Sequence, residues 1–303
     1  MNNIIKNMPI AISGTLLAVL SIGNLFEDNL IKSITFLLGL TIILILLLKL
    51  VYYRKELLKE LSNPVILSTS GTFSMAVMVL STYIVNTNYY LSLIIWLIGV
   101  LLHLLLIIYY TIHHIILDFN IEKYYGSLWV VYIGLTMASI SGGILELHDI
   151  SWIFFVFGLI VMIPSFILVS YRYIKYPVKT DTNKPLICIY AAIFNILTVG
   201  YYYSFNTLNT QFITTLYIIG LILYIFSLYQ LIKHIRLPFY PSYSAFTFPF
   251  VISAIATTKM ILIQNNMILT SISKIETIIA TILVIYVLYE YVNNIILKKR
   301  NIN

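Results

Sequence analysis

Charge is what this sequence has least of. Asp, Glu, Lys and Arg make up 10% of its 303 residues, where a soluble domain carries about a quarter. So few charges cannot cover a water-facing surface, which excludes a soluble globular domain. Cysteine is nearly absent. Cys188 stands alone inside an apolar block, which excludes an intramolecular disulfide and a thiolate metal cluster. Its surroundings suit a small buried hydrophobe. There is no glycine-rich phosphate loop or Walker sequence, so an ATP-driven pump is unsupported. There is no nucleophile–base constellation, and none of the five histidines has Cys, Asp or Glu partners at metal-ligand spacing. No enzymatic activity, metal or cofactor is expected. Nor is a cleavable signal peptide, because the first apolar block lacks a small-residue cleavage pattern and many more blocks follow it.

What is present is apolar sequence in long runs. Hydrophobic residues make up 60% of the chain, with a mean hydropathy of +0.96. They neither alternate nor form one-sided stripes. They come in blocks of about twenty or more, the length that crosses a hydrocarbon layer of ~30 Å at ~1.5 Å per residue. Backbone groups in that layer must bond within their own segment, so the blocks are helices. The expected fold is all-α and polytopic, a single transmembrane domain of ten spans. They run roughly over 8–26, 29–52, 64–86, 89–115, 127–146, 150–174, 185–206, 210–235, 240–263 and 270–296.

Lys and Arg orient the chain. One side collects Lys6, Lys49, Arg54, Lys55, Lys59, Lys123, Arg172, Lys175, Lys179, Lys184, Lys233, Arg236, Lys298, Lys299 and Arg300. The other has Lys32 and Lys274, and Lys259 falls inside span nine. Fifteen against two places both termini and the four basic loops in the cytoplasm. The net charge of +7 is therefore a mark of membrane topology and not of nucleic-acid binding. The lipid bilayer of a cell membrane, plasma or inner, is the expected setting.

The spans are of two kinds. Odd spans carry small and hydroxyl residues, as in Ser68-Thr69-Ser70-Gly71-Thr72. Even spans are mostly bulky, as in "FLLGLTIILILLLKLVYY". Small residues allow close packing or line a path, and bulky aliphatic ones face lipid. Pro9, Pro64, Pro185 and Pro241 mark the starts of four odd spans, and these starts recur about every 55 to 63 residues. That is the pattern of a helical hairpin repeated five times. It predicts an inner ring of five odd helices around a central pore, inside an outer ring of five even helices. On periodicity alone, a ten-helix bundle without a central path remains open. "TFSMAVMVLSTY" in span three and "TFPFVISAIATTK" in span nine align so that Phe73 corresponds to Phe248.

Four strings carry a family resemblance: "MPIAISGTLLAVLSIGNL", "NPVILSTSGTFSMAVMVLSTYI", "LWVVYIGLTMASISG" and "SYSAFTFPFVISAIATTK", in spans one, three, five and nine. With these the sequence resembles the tellurite-resistance/dicarboxylate transporter family, which shares its fold with the plant slow-type anion channels. The resemblance covers nearly the whole chain, although span five opens without a proline and span seven matches loosely. It implies ten helices in five hairpins, a pore through each protomer and a homotrimer. It also implies an aromatic gate in the stretch matched by "AFTFPF", which falls on Phe248.

Pro249 follows Phe248, and a proline within a helix bends it. A bend there would push the ring into the path. Candidate pore-lining residues are Gly14, Thr72, Phe73, Gly134, Ala138, Phe194, Ser244, Ala245, Ile252 and Ala256. Lys259 lies eleven residues after Phe248, about three turns or ~16 Å along the same face. There it would attract anions, with snorkelling to the outer headgroups as the alternative. Glu276 and His103 sit in even spans, where hydrogen bonding between helices is the simpler role.

The function expected is an anion-selective channel that moves small inorganic or organic anions past a phenylalanine gate. A carrier of C4-dicarboxylates, or of an oxyanion such as tellurite or sulfite, is the alternative. Little in the odd spans titrates near neutrality, which counts against tight proton coupling. A non-transporting membrane scaffold would have no need of small-residue, proline-marked inner spans.

Overall fold

The computed structural model describes residues 2–26 and 28–297. Lys298, Lys299 and Arg300, counted above for the cytoplasmic side, lie outside the described residues. Among the described residues every regular element is helical. Nine helices among the described residues are long and apolar enough to cross a membrane. They are span two Asn29–Tyr52, three Pro64–Ile84, four Tyr89–Ile116, five Ser127–Ile144, six His148–Lys175, seven Asp181–Ser204, eight Thr210–His234, nine Pro241–Gln264 and ten Met267–Ile295. Span one, Ile12–Phe26, has 15 residues, or ~22 Å of helix.

The backbone before span one is irregular, and it is buried in protein where its polar groups find partners. Ile10 donates its N–H to Glu60 Oε2 at 3.0 Å. The carbonyl of Met8 accepts from Lys49 Nζ at 2.6 Å. Irregular chain at membrane depth is tolerated only under such cover. Glu60 belongs to a short helix between spans two and three, Arg54–Leu61.

Asparagine and aspartate start most of the other helices. Asp28, Asn63, Asn88, Asn209 and Asn266 each accept a backbone N–H from the first turn of spans two, three, four, eight and ten. A side-chain oxygen at this position satisfies donors that have no partner within the helix. The short polar breaks of the sequence are therefore both turn and cap. Asn265 ends span nine with φ 44°, its N–H bonded to Ile261 O, the left-handed residue with which helices often close.

Burial divides the helices by composition. Spans three, five, seven and nine are 67% to 83% buried along their most apolar stretch, against 28% to 33% for the even spans. Ile12 to Gly23 of span one are buried without exception. Each odd helix packs on the even helix that follows it. The odd helices also pack on one another in order, one on three, three on five, five on seven and seven on nine, and nine returns to one. Small residues make this possible. A Cβ on Gly126 would lie 2.3 Å from the carbonyl oxygen of Leu186, and one on Gly143 would lie 2.2 Å from that of Tyr203. Spans five and seven thus touch backbone to backbone at both ends.

Three of the inner helices are irregular. Span five passes through a 3-10 turn at Ile133–Leu135. Span seven starts as the 3-10 stretch Asp181–Ile189, and span nine as Pro241–Phe246.

Candidate functional site

Two cavities lie among the odd helices, each with about 560 Å3 of empty space. All five odd spans contribute to both. The first lies toward the basic ends of the helices and includes Gly14, Thr72, Gly134, Ile196, Ser244 and Phe248. The second lies toward the opposite ends and includes Ser21, Val79, Met137, Val199, Ile252 and Lys259. On spans three, five, seven and nine only three or four residues separate one lining from the other. The pairs are Met75 and Val79, Gly134 and Met137, Ile196 and Val199, and Pro249 and Ile252. That is one helical turn, ~5 Å. The lining side chains on either side of this thin layer include Met75, Val79, Met137, Ile196, Val199, Phe248 and Ile252, none of which can replace water around an ion.

Phe248 stands at this layer because of a break in span nine. The 3-10 stretch ends at Phe246, and Thr247 has φ −108° and ψ −86°, outside the helical region. A new α-helix begins at Phe248, with Pro249 in its first turn. Proline costs little there, since its missing N–H would have had no partner within the helix. The change of direction therefore precedes the phenylalanine. Thr247 holds it in place, donating to Ser244 O at 2.6 Å and to Gly14 O of span one at 3.3 Å. Below the break, Ser253 Oγ donates to Pro249 O at 2.8 Å, and Asn195 Nδ2 of span seven donates to Ser253 Oγ at 2.9 Å.

The two cavities differ in chemistry. The first is lined by apolar groups with the hydroxyls of Thr69, Thr72 and Ser244. Thr72 Oγ1 is bonded to Ser13 Oγ at 2.7 Å and to Thr69 O at 2.8 Å. The second has Ser21, Asn24, Thr82, Ser141, Thr258 and the ammonium of Lys259. Lys259 Nζ lies 5.5 Å from the ring centre of Tyr202 and 5.4 Å from that of Tyr203. Among the described residues it has no ion-pair partner. Neither described lining contains Asp or Glu. An anion in the second cavity meets one unneutralised cation, and a cation meets no carboxylate.

The residues singled out from the sequence are distributed as follows. Gly14, Thr72, Gly134, Ser244, Ala245, Phe248 and Pro249 line the first cavity. Ile252 and Lys259 line the second. Phe73, Ala138, Phe194 and Ala256 line neither. Phe73 faces an outward groove with Leu46 and Leu102. The ring of Phe194 points to Phe166 of span six, with centres 6.2 Å apart. Ala138 is fully buried and offers its carbonyl to Trp96 of span four. Ala256 is fully buried as well. Sequence reasoning missed Met75, Ile133, Ile196, Asn24 and Tyr203. Met75, Ile133 and Ile196 are ordinary in an apolar helix, whereas Asn24, an amide near the end of span one, and Tyr203, in the run "YYYS", carried a signal that could have found them.

Two ionisable side chains in even helices serve contacts between helices. His103 of span four is hydrogen-bonded through Nδ1 to Ser74 Oγ at 2.7 Å. Its Nε2 donates to Val131 O at 3.1 Å, beside the 3-10 turn of span five. Thr257 of span nine donates to Glu276 Oε2 at 2.5 Å, and Tyr217 of span eight bonds the same Thr257 at 3.1 Å.

The architecture is that of a polytopic helical membrane protein with an axial series of cavities. The chain matches the voltage-dependent anion channel (SLAC1) family over residues 7–292 and belongs to that family. No curated protein matches it. At the level of the family, then, this is a channel or transporter of anions.

Proposed function

We propose that the chain is an anion-selective channel whose path runs through the two cavities and is closed by Phe248. The five odd helices form the inner ring around that path, and the five even helices form the outer ring of five hairpins. The observation that carries this reading is the position of Phe248. It lines the first cavity, and one turn later Ile252 lines the second. Weakly polar walls suit conduction, because an ion must leave as readily as it enters. Lys259 raises the local anion concentration at the far mouth. In this reading the first cavity faces the cytoplasm across the plasma or inner membrane, with both termini inside, and the excess of Lys and Arg on that side supports it. A homotrimer with one pore per copy is the assembly the family resemblance implies. The test is the reversal potential under chloride, nitrate and malate gradients, for wild type and Phe248→Ala. An anion-selective current that rises in the variant supports the channel. Saturable uptake at fixed stoichiometry, with no change in the variant, assigns a C4-dicarboxylate or oxyanion carrier in its place.

A further inference from the structure

Span two packs mainly on span one and span four on span three, which leaves a groove between spans two and four. Its empty space is about 680 Å3. Leu46 and Leu50 form one wall, Leu102 and Leu106 the other, and Phe73 lies on the floor. Leu57, from the short helix Arg54–Leu61, closes the end nearest the basic loops. The deepest floor residue, Ser74, is ten residues past Pro64. At ~1.5 Å per residue that is ~15 Å, the depth of one leaflet of a ~30 Å hydrocarbon core. A groove of that depth, open to the side, has the dimensions of an acyl chain.

The helix that closes it is charged on its outer surface. Arg54, Lys55 and Lys59 are exposed. The acids of the same helix are taken by cations from elsewhere. Glu56 pairs with Lys6 at 3.4 Å, and Glu60 with Lys49. Among the described residues, Arg54, Lys55 and Lys59 have no such partner. Arg54 is one turn before Leu57, so a cation and the apolar closure share one helix face. Arg54 therefore stands over the mouth of an acyl-sized groove, and Lys55 and Lys59, a turn apart on the outer face of the same helix, add two further unpaired positive charges beside it.

We propose that this groove and the helix Arg54–Leu61 form a binding site for one anionic phospholipid of the leaflet next to the basic loops. The phosphate headgroup lies against Arg54, with Lys55 and Lys59 adding to the positive potential that draws it there, and one acyl chain runs down the groove to Phe73. The site is independent of which anion the chain carries. It touches the transport machinery at one point, since Glu60 on the same helix accepts the N–H of Ile10, just before span one.

The test uses the full-length protein purified in a neutral detergent and offered equal phosphatidylglycerol and phosphatidylcholine, with retained lipid counted by native mass spectrometry. Because basic side chains at a membrane surface attract anionic lipid, wild type is expected to prefer phosphatidylglycerol by at least about tenfold. The triple variant Arg54→Gln, Lys55→Gln, Lys59→Gln alters exposed side chains and should fold as wild type. It is expected to lose the preference. Leu102→Trp, which fills the groove with the charges intact, should retain less of either lipid. Equal retention of the two lipids by wild type, or an undiminished preference in the triple variant, overturns the proposal. So does a Leu102→Trp variant with unchanged lipid retention and altered oligomeric state, which would assign the groove to a second copy.

Discussion

Phe248 and Ile252 are one helical turn apart on the same helix, yet they line different cavities. The layer that separates the cavities is therefore no thicker than a few side chains. Phe248 is 5% exposed and Ile252 1%, so in this state neither leaves room for an ion. An aromatic ring that must leave its preferred rotamer costs ~0.5–1.5 kcal/mol. Removing it with Phe248→Ala should raise anion current roughly two- to tenfold. Phe73→Ala, at the alignment partner that lines the outward groove and neither cavity, should leave the current unchanged. Single-channel or whole-cell currents at matched surface expression decide this.

Lys259→Met should lower anion current at low salt and have little effect at high salt. The reason is screening, since the Debye length falls from ~30 Å at 0.01 M to ~3 Å at 1 M. Lys259→Arg should behave as wild type. Conductance measured across a chloride series would reveal the convergence, and an equal loss at all concentrations would point to a structural role instead.

Gly126→Ala and Gly143→Ala should each destabilise the protein by about 1–3 kcal/mol. In both cases the new methyl meets a backbone oxygen, of Leu186 and Tyr203 respectively, which cannot swing aside as a side chain would. Gly14→Ala should cost less, because its closest neighbour is the Ser244 side chain at 3.0 Å. Thermal melting in detergent should reproduce that order.

Lys49 is fully buried and bonds Met8 O and Glu60, while Glu60 also accepts from Ile10. Replacing Lys49 with Met removes one charge and leaves the other without its partner. The loss should be about 3 kcal/mol, and the double variant Lys49→Met, Glu60→Gln should recover part of it. Protease sensitivity of the segment before span one is the local readout.

Much of the architecture follows from the sequence alone. Hydropathy marked the nine long helices found among the described residues, because crossing a membrane is a property of each segment by itself. Span one, expected over 8–26, is however helical only over Ile12–Phe26, since the residues before it bond to the helix Arg54–Leu61 instead. The contrast of small and aliphatic residues foretold which helices are buried, because tight packing needs small side chains wherever they occur. Tertiary structure decided which face of a buried helix looks into a cavity. Thr72 lines the first cavity and Phe73 does not, whereas Thr247 turns to the backbone of span one and Phe248 lines the cavity. The two Thr-Phe pairs are identical in sequence, but the break at Thr247 resets the helical phase in span nine. Span three runs through the same point as an unbroken helix. The bond between Ile10 and Glu60, fifty residues apart, and the groove between spans two and four were equally out of reach. Both arise from how separate helices meet, and no local pattern of residues encodes that meeting.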